Sequence, residues 1–409
     1  MKHRTGVPCS VFLLLASLIS FSVNGLSQVV LANLSGHVFD SSGLAIPGAK
    51  VSVVNVATGF TRESTTSSSG DYLIPALPAG QYRVTAEKEA FRTEVRTITL
   101  QIGQPGTLDI TLSPGAVTQQ IVVRGVSQVL SPTKTQISSV ITDTQINNLP
   151  VNGRDFVSFA LLAPAIQIGD TTSGSTDVIV EPVLKLSFAG QNVHDNFVAV
   201  DGSDDISSVS GWQRGSPPQD SVREFRVINS DWSVEFGRSI GGIVDIITKS
   251  GTNDWHGSAY EYFRNNAMDA TGLLQAPGLN TLRQNQFGFS IGGPIQRNKT
   301  FIFANYEGQR HGESPFYNKA VLANINAIDQ VKVQTYGLPA EPAGLNVLRV
   351  NNSDNGFVRL DRTFGSRHYL FLRYFVNDDR LTNQSPLNDG FDLPSGFKNN
   401  FIRDQSLVG

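Results

Sequence analysis

From His256 onward the chain alternates. His256–Asn265 puts Tyr260 and Tyr262 on one face and Gly257, Ala259 and Glu261 on the other. Gln286–Gly292 and Phe301–Tyr306 alternate strictly, and Phe357–Thr363 and Tyr369–Asn377 form a further pair. A period of two predicts strands, and pieces of roughly 8–11 residues suit strands that cross a membrane. The connections alternate as well. Asn266–Arg283, His311–Asn355 and Asp378–Asn399 are long, while Pro294–Lys299 and Phe364–Ser366 are short. Short turns on one side and long loops on the other predict an antiparallel β-barrel of the bacterial outer-membrane kind. A soluble sandwich, the competing reading, has no need of that regularity.

The front of the chain has shorter strands. The region from Val51 to Val56, Tyr72–Ile74, Tyr82–Ala86, Thr97–Leu100 and Leu108–Leu112 are separated by Ser41-Ser42-Gly43, Pro47-Gly48, Ser69-Gly70-Asp71 and Pro78-Ala79-Gly80. That spacing predicts a small β-sandwich from about Leu34 to Pro114. The texture then changes. Thr142–Pro150 reads as a capped helical turn, and Arg154–Leu162 as a short apolar helix stopped by Ala163-Pro164.

The stretch SVEFGRSIGGIVDIITKSGTN contains Gly237-Arg238-Ser239-Ile240-Gly241, a literal G-x-S-x-G. A nucleophile elbow needs a strand before the serine and a helix after it. Here Ile243–Thr248 is β-branched at five of six positions, which favours a strand. The glycines therefore join strand to strand, and Ser239 is expected to be a turn residue rather than a nucleophile.

Lys2, His3 and Arg4 precede an apolar run from Val11 to Val23, the layout of a secretory signal peptide. Cleavage fits after Gly25 or after Ala32, giving a leader of residues 1–32. Cys9 is the only cysteine and lies in that leader, so no disulfide or thiolate chemistry is expected in the exported chain. No later apolar run is long enough for a spanning helix, which leaves soluble secretion or a β-barrel. Charged residues make up 16% of the 409 residues and the net charge is −3. No basic field is present to hold nucleic acid.

Three stretches carry a resemblance. LSGHVFDSSGLAIPGAKVSVVN followed by SSGDYLIPALPAGQYRVTAEKEAF resembles the carboxypeptidase regulatory-like domain through Gly36, Asp40, Pro47-Gly48-Ala49, Gly70-x-Tyr72 and Leu77-Pro78-x-Gly80-x-Tyr82. That resemblance implies a non-catalytic, prealbumin-like sandwich with a carbohydrate-binding-like fold. Val200-Asp201-Gly202, Val222–Val227 and Phe236–Lys249 resemble the plug domain of TonB-dependent outer-membrane receptors. It implies that Asp201, Gly202, Gly237, Arg238, Ser239, Gly241 and Gly242 are plug-turn residues. It also makes Gln119, Gln120, Ile121, Val122 and Val123 a candidate TonB box, with an ordinary linker strand as the other reading. Asn285–Phe289, Gly292-Gly293-Pro294 and Lys299–Phe303 resemble the Oar-like TonB-dependent transporters, which share the order sandwich, plug, barrel.

The fold class expected is mainly β. Residues 1–32 are the signal peptide, 33–114 the sandwich, 115–253 an α+β plug and 254–409 the start of a transmembrane barrel. Barrels of this kind have about 22 strands, and the pattern here gives five with the start of a sixth near Phe401. The chain therefore reads as an N-terminal fragment that would not transport or fold alone. The resemblance implies an outer-membrane receptor whose partners are a TonB-type protein in the periplasm, outer-membrane lipid and an extracellular ligand. That ligand could be a siderophore, oligosaccharide, peptide or protein, met by loops Asn266–Arg283 and His311–Asn355. The alternative is an anchored binding or adhesion protein that uses the sandwich to hold carbohydrate or a protein. A serine hydrolase is the third and weakest reading.

No catalytic residue, cofactor or metal is expected. Gly292–Thr300 ends like a phosphate loop but has Asn298 where the second glycine belongs. Asp201, Asp204 and Asp205 miss the spacing of a calcium loop and read as solvated acids. His194 and Asp195 lack a nearby nucleophile, and His37 has no spaced partner for zinc. Trp212, Trp232 and Trp255 read as packing or interface anchors rather than a stacking platform.

Overall fold

A computed structural model describes residues 31–115, 137–151, 154–169, 185–207, 213–215, 217–231, 237, 239–270, 279–365, 368–385 and 391–409, and the backbone of 121–123. The expected signal peptide lies almost wholly outside the described residues, as do Trp212, Trp232 and Arg238.

The first unit is a two-sheet sandwich. Its strands are β1 (Ala32–Asp40), β2 (Lys50–Asn55), β3 (Thr61–Thr65), β4 (Asp71–Leu77), β5 (Gly80–Glu87), β6 (Glu94–Leu100), β7 (Gly106–Thr107), β8 (Ile110–Leu112) and β9 (Ile121–Val123). One sheet has the order β4-β1-β7 with β8 also on β1; the other runs β3-β2-β5-β6-β9. The inward residues of both sheets form one core around Leu34, Val51, Val53, Ile74, Tyr82, Val84, Ile98 and Leu112. The buried Tyr82 hydroxyl donates to Pro78 O at 2.7 Å. Pattern alone omitted β3, which is polar throughout and pairs only at the sheet edge. The expected strand Leu108–Leu112 shortens to β8: Leu108 lies in the loop between β7 and β8, where its N–H donates to Ser35 O at 2.9 Å.

The second unit has a five-stranded sheet. Its strands are β10 (Ile137–Ile141), β13 (Phe197–Val200), β14 (Ser203–Asp204), β15 (Val222–Ser230) and β16 (Ile243–Thr248), in the order β10-β15-β16-β13-β14. β11 (Ile166–Ile168) and β12 (Leu186–Phe188) form a separate hairpin. Helix α1 (Asp143–Asn148) is capped as expected, with Thr142 N–H donating to Gln145 Oε1 at 2.9 Å. The apolar segment after Arg154 is a 3₁₀ helix, Phe156–Leu162, rather than an α-helix. One sheet face packs Phe225, Val227, Val244 and Ile246 against Phe156, Phe159 and Phe188.

The third unit is a meander of β17 (His256–Asn265), β18 (Leu282–Gln296), β19 (Thr300–Glu313), β20 (Arg349–Phe364), β21 (His368–Gln384) and β22 (Lys398–Val408). All neighbours are antiparallel. Among the described residues there are six strands, the sixth spanning the start expected near Phe401, and the middle ones have 14 to 17 residues. The extra length lies in polar stretches such as Asn351–Asn355 and Asp378–Thr382, which pair through the backbone but offer no hydrophobic contrast. The long loop after β19 shrinks to 314–348 and contains helix α2 (Lys319–Tyr336), capped by Asn318 and ended by Gly337 at φ +63°.

Side chains alternate across this sheet in an inside-out sense. Val358, Leu360, Leu370 and Leu372 are exposed on one face, while Arg359, Asp361, Arg373 and Asn377 are buried on the other. An apolar outer face and a polar inner face are what a barrel wall in lipid requires. Among the described residues no helix is long and apolar enough to cross a membrane.

Candidate functional site: the plug and wall junction

The buried polar face of β17–β22 meets the second unit at two arginine-centred junctions. The first is built around Arg359 of β20. Its Nη1 lies 3.0 Å from Asp201 Oδ1 and 2.8 Å from Thr248 Oγ1. Its Nε reaches Asp361 at 3.0 Å, its Nη2 donates to Tyr369 Oη at 3.0 Å, and its guanidinium lies 4.6 Å from the Phe371 ring centre. Arg373 of β21 adds a second cation, with Nη1 3.5 Å from Asp201 Oδ2. Asp201 is held ready from its own side. It follows β13 in a tight turn at φ +50°, and Thr248 gives it a backbone N–H at 2.9 Å and a hydroxyl at 2.8 Å. Opposite charges, all desolvated, with every carboxylate oxygen bonded, make a junction that fixes geometry.

The second junction reverses the roles. Arg154 comes from the plug-like unit and reaches the wall. Its Nε donates to Glu307 Oε2 of β19 at 2.9 Å, and its Nη2 pairs with Asp220 Oδ1 at 2.5 Å. The guanidinium stacks 4.1 Å from the Tyr260 ring centre and 5.0 Å from that of Tyr262. Ser258 of β17 donates to Asp220 Oδ2 at 3.0 Å, so that acid also bridges the units. Together the barrel lends an arginine to the plug sheet and the plug lends one back.

Asp205 sits beside the first junction. Burial pushes its carboxyl up to about 7, opposed by the neighbouring Arg373 cation. Burial likewise raises Asp155, next to Arg154, to about 6. The expectation of solvated acids at Asp201, Asp204 and Asp205 is therefore corrected. Asp204 is exposed, but Asp201 and Asp205 are buried, because wall residues more than 150 positions later in the chain supply their cations. Among the described residues no group of His, Cys, Asp and Glu is arranged to hold a metal.

The glycine turn lies at the start of β16, the middle strand of the sheet. Ile240 and Gly241 N–H both donate to Asp195 O at 3.0 Å. Ser239 Oγ has two main-chain carbonyls as acceptors, Gly242 O at 2.9 Å and Asp195 O at 3.1 Å. The residue after the turn begins β16, not a helix, as an elbow would need. Gly242 is required by packing, since a Cβ there would lie 2.1 Å from the Phe188 ring. Gly202 completes the Asp201 turn at φ +81°. Among the described residues, nothing lies within 4 Å of where a Cβ at Gly237 would sit. Of the described turn residues named from sequence, only Asp201 enters a junction with the wall. Arg154, Glu307, Arg359 and Arg373 were missed. The available signal was arginine at inward positions of otherwise apolar strands.

Of the candidate TonB box, Gln119 and Gln120 lie outside the described residues. Ile121–Val123 forms β9 on the edge of the sandwich. His37 is held by two carboxylates, its Nε2 2.6 Å from Asp71 and its Nδ1 3.3 Å from Asp109. Trp255 is 61% exposed, which rules out a role as a core-packing anchor and leaves the interface reading of that residue. Gly292–Thr300 is the end of β18 and a tight turn with Asn298 at φ +60°, not a phosphate loop.

Comparison with known proteins agrees with this architecture. Residues 33–113 match the carboxypeptidase regulatory-like domain, and residues 247–326 match an outer membrane beta barrel domain. The TonB-dependent transporter Oar of Myxococcus xanthus is 27% identical over 296 residues, covering 67% of this chain and 26% of Oar. The ferrienterobactin receptor of Escherichia coli is 26% identical over 275 residues, covering 58% of this chain and 33% of the receptor. Among solved structures, the outer membrane transporter YddB of E. coli superposes with a TM-score of 0.44 at 16% identity, over 61% of this chain and 34% of YddB. The siderophore receptor PirA of Acinetobacter baumannii gives 0.38 at 15%, over 66% of this chain and 44% of PirA. The chain thus spans between a quarter and a third of the two sequence relatives. It is a homologue of the TonB-dependent transporter Oar, with a carboxypeptidase regulatory-like domain in front and an outer membrane β-barrel domain behind, and it belongs to the outer membrane.

Proposed function

We propose that this protein is an energised outer-membrane receptor in which residues 33–114 are a sandwich, 115–253 a plug and 254–409 part of the barrel wall. The observation that carries the reading is the pair of reciprocal arginine junctions, Arg359 with Asp201 and Arg154 with Glu307. A plug that only filled space could use apolar contacts. Buried ion pairs instead give one defined closed position, which must be broken to open a path. In this reading a ligand bound on the long-loop side exposes Gln119–Val123 to a TonB-type protein, which takes the segment as an added strand. Pulling on it breaks the junctions.

The long-loop side is organised for recognition. Leu279, Tyr317, Leu345, Leu393 and Phe397 come from three different loops and pack together, so the loops present one surface. Ferrienterobactin, named for one relative, and oligosaccharides are the first ligands to assay. Deleting Gln119–Val123 from the full-length gene product tests the reading. The variant is expected to insert normally but to lose capture of the TonB-type protein. Undiminished capture would overturn the assignment of that segment.

A further inference from the structure

Strand β6 has β5 on one side and the short β9 on the other. The β9 pairing is parallel, with Glu94 opposite Ile121, Val95 opposite Val122 and Arg96 opposite Val123. Without β9, β6 would present unpaired main-chain groups, the feature that recruits passing strands. A three-residue parallel ladder is short and of the weaker kind, so it holds the segment reversibly.

The chain beyond the other end of β6 is also engaged. After Leu100 it turns through Gln101–Gln104, and this turn docks on the plug sheet. Ile102 N–H donates to Glu224 Oε1 at 3.0 Å, and Arg226 Nη1 donates to Gly103 O at 2.8 Å. Glu224 and Arg226 are both buried on β15. Arg226 also faces the fully buried Asp245 of β16, 3.9 Å away. Gly103 has φ +55°, and a Cβ there would lie 2.1 Å from Arg226 Nη1. Only glycine lets the guanidinium reach that carbonyl. A single strand thus carries the 121–123 segment on its edge and leads directly into a contact with the middle of the plug sheet.

We propose that the β6 edge is the resting dock of the Ile121–Val123 strand, that a TonB-type partner competes with β6 for it, and that the 101–104 turn relays release of the strand to the plug. The proposal rests on the reading of Gln119–Val123 as the partner-binding segment. It makes the sandwich an interlock rather than a separate binding module. A strand has two edges, and the competition requires the partner to use the one that β6 covers.

The test uses the full-length protein carrying Arg96→Cys and Val123→Cys, with Cys9, the one cysteine of these 409 residues, changed to serine. The probe is the periplasmic domain of the TonB-type protein from the same cell. The disulfide is expected to form, to weaken probe binding at least tenfold, and to be reversed by reduction, with each single-cysteine variant binding normally. In a second variant, Gly103→Ala, probe binding is retained but the probe no longer alters amide exchange in β15. Failure of the disulfide to form overturns the dock. Equal affinity in oxidised and reduced protein overturns the competition, and an unchanged β15 response in Gly103→Ala overturns the relay. Absence of binding to both the reduced protein and a free Gln119–Val123 peptide would instead sink the transport reading, and this proposal with it.

Discussion

Replacing Arg154 with methionine keeps the length and much of the volume of the side chain but removes its charge. The positive φ of +54° at this position is shared by both residues, so backbone strain cancels in the comparison. What is lost is the bond to Glu307 at 2.9 Å, the pair with Asp220 at 2.5 Å and the stacking on Tyr260 and Tyr262. The side chains of Arg154, Glu307 and Asp220 are 9%, 8% and 14% exposed, so water does not replace those contacts. Breaking a buried pair while leaving its partner charged costs about 3–5 kcal/mol. Tyr260 still donates to Glu307 and Ser258 to Asp220, which places the expected loss near the lower end, about 3 kcal/mol. Glu307→Gln alone leaves Arg154 paired with Asp220 and costs about 1–2 kcal/mol. The double variant should fall short of the sum by about 1–2 kcal/mol, because each change removes the same contact. Native-state hydrogen exchange of β15 and β16 amides, in the full-length protein in detergent, reads the opening free energy of the plug directly. A loss below about 1 kcal/mol for Arg154→Met, or strict additivity of the two changes, would refute the claim that this arginine pins the plug to the wall.

Four further outcomes are expected. Asp205 and Asp155 have raised folded-state values, so their contribution to stability is complete below the ordinary carboxylate value of 3.8 and is lost as pH rises towards about 7 and about 6 respectively. The plug-opening free energy should therefore fall across that window, and Asp205→Asn should flatten the profile; an unchanged slope in amide exchange counts against the burial argument. Gly242→Ala drives a Cβ into the buried Phe188 ring and should cost about 1–3 kcal/mol in urea unfolding of the plug, whereas the same change at the open Gly237 should cost less. Leu360→Lys places a charge on the outward face and should destabilise folding into vesicles by about 2–4 kcal/mol if the residue lies near the midplane, so no measurable change would contradict the assigned orientation of β20. Ser239→Ala should leave partner capture and membrane insertion intact, and stability within about 1 kcal/mol in denaturant titration, since its hydroxyl donates to two main-chain carbonyls, Gly242 O and Asp195 O; abolished function would reopen a chemical role.

The strands of the wall were legible because lipid on one face and the plug on the other enforce a strict period of two, visible in Phe287-Gly288-Phe289 and Val358-Arg359-Leu360-Asp361. Their ends were not legible. Beyond the apolar belt, polar residues such as Asn351, Asn352 and Arg380 continue the main-chain ladder without any hydrophobic contrast to mark it. Helix α2 carried its caps in the sequence, Asn318 and Gly337, but only Val321 is buried on it, so its periodic contrast is faint. The strand after Ser239 was readable from its β-branched run. The junctions were hidden for another reason. Asp201 looks like a solvated turn acid until Arg359 is folded onto it, 158 positions away. Pairings between distant elements leave no local trace beyond an arginine at an inward position.

The central claim is that the plug rests locked against the wall and is moved by an energised partner. Thr248 is buried between Asp201 and Arg359, so a cysteine there reports the state of the lock without knowledge of the ligand. Labelling of Thr248→Cys by a membrane-impermeant maleimide should be measured in living cells with and without the TonB-type protein, in rich medium. The account predicts labelling that depends on that protein and collapses when the proton gradient is dissipated. Equal labelling in both strains, indifferent to the gradient, would contradict it.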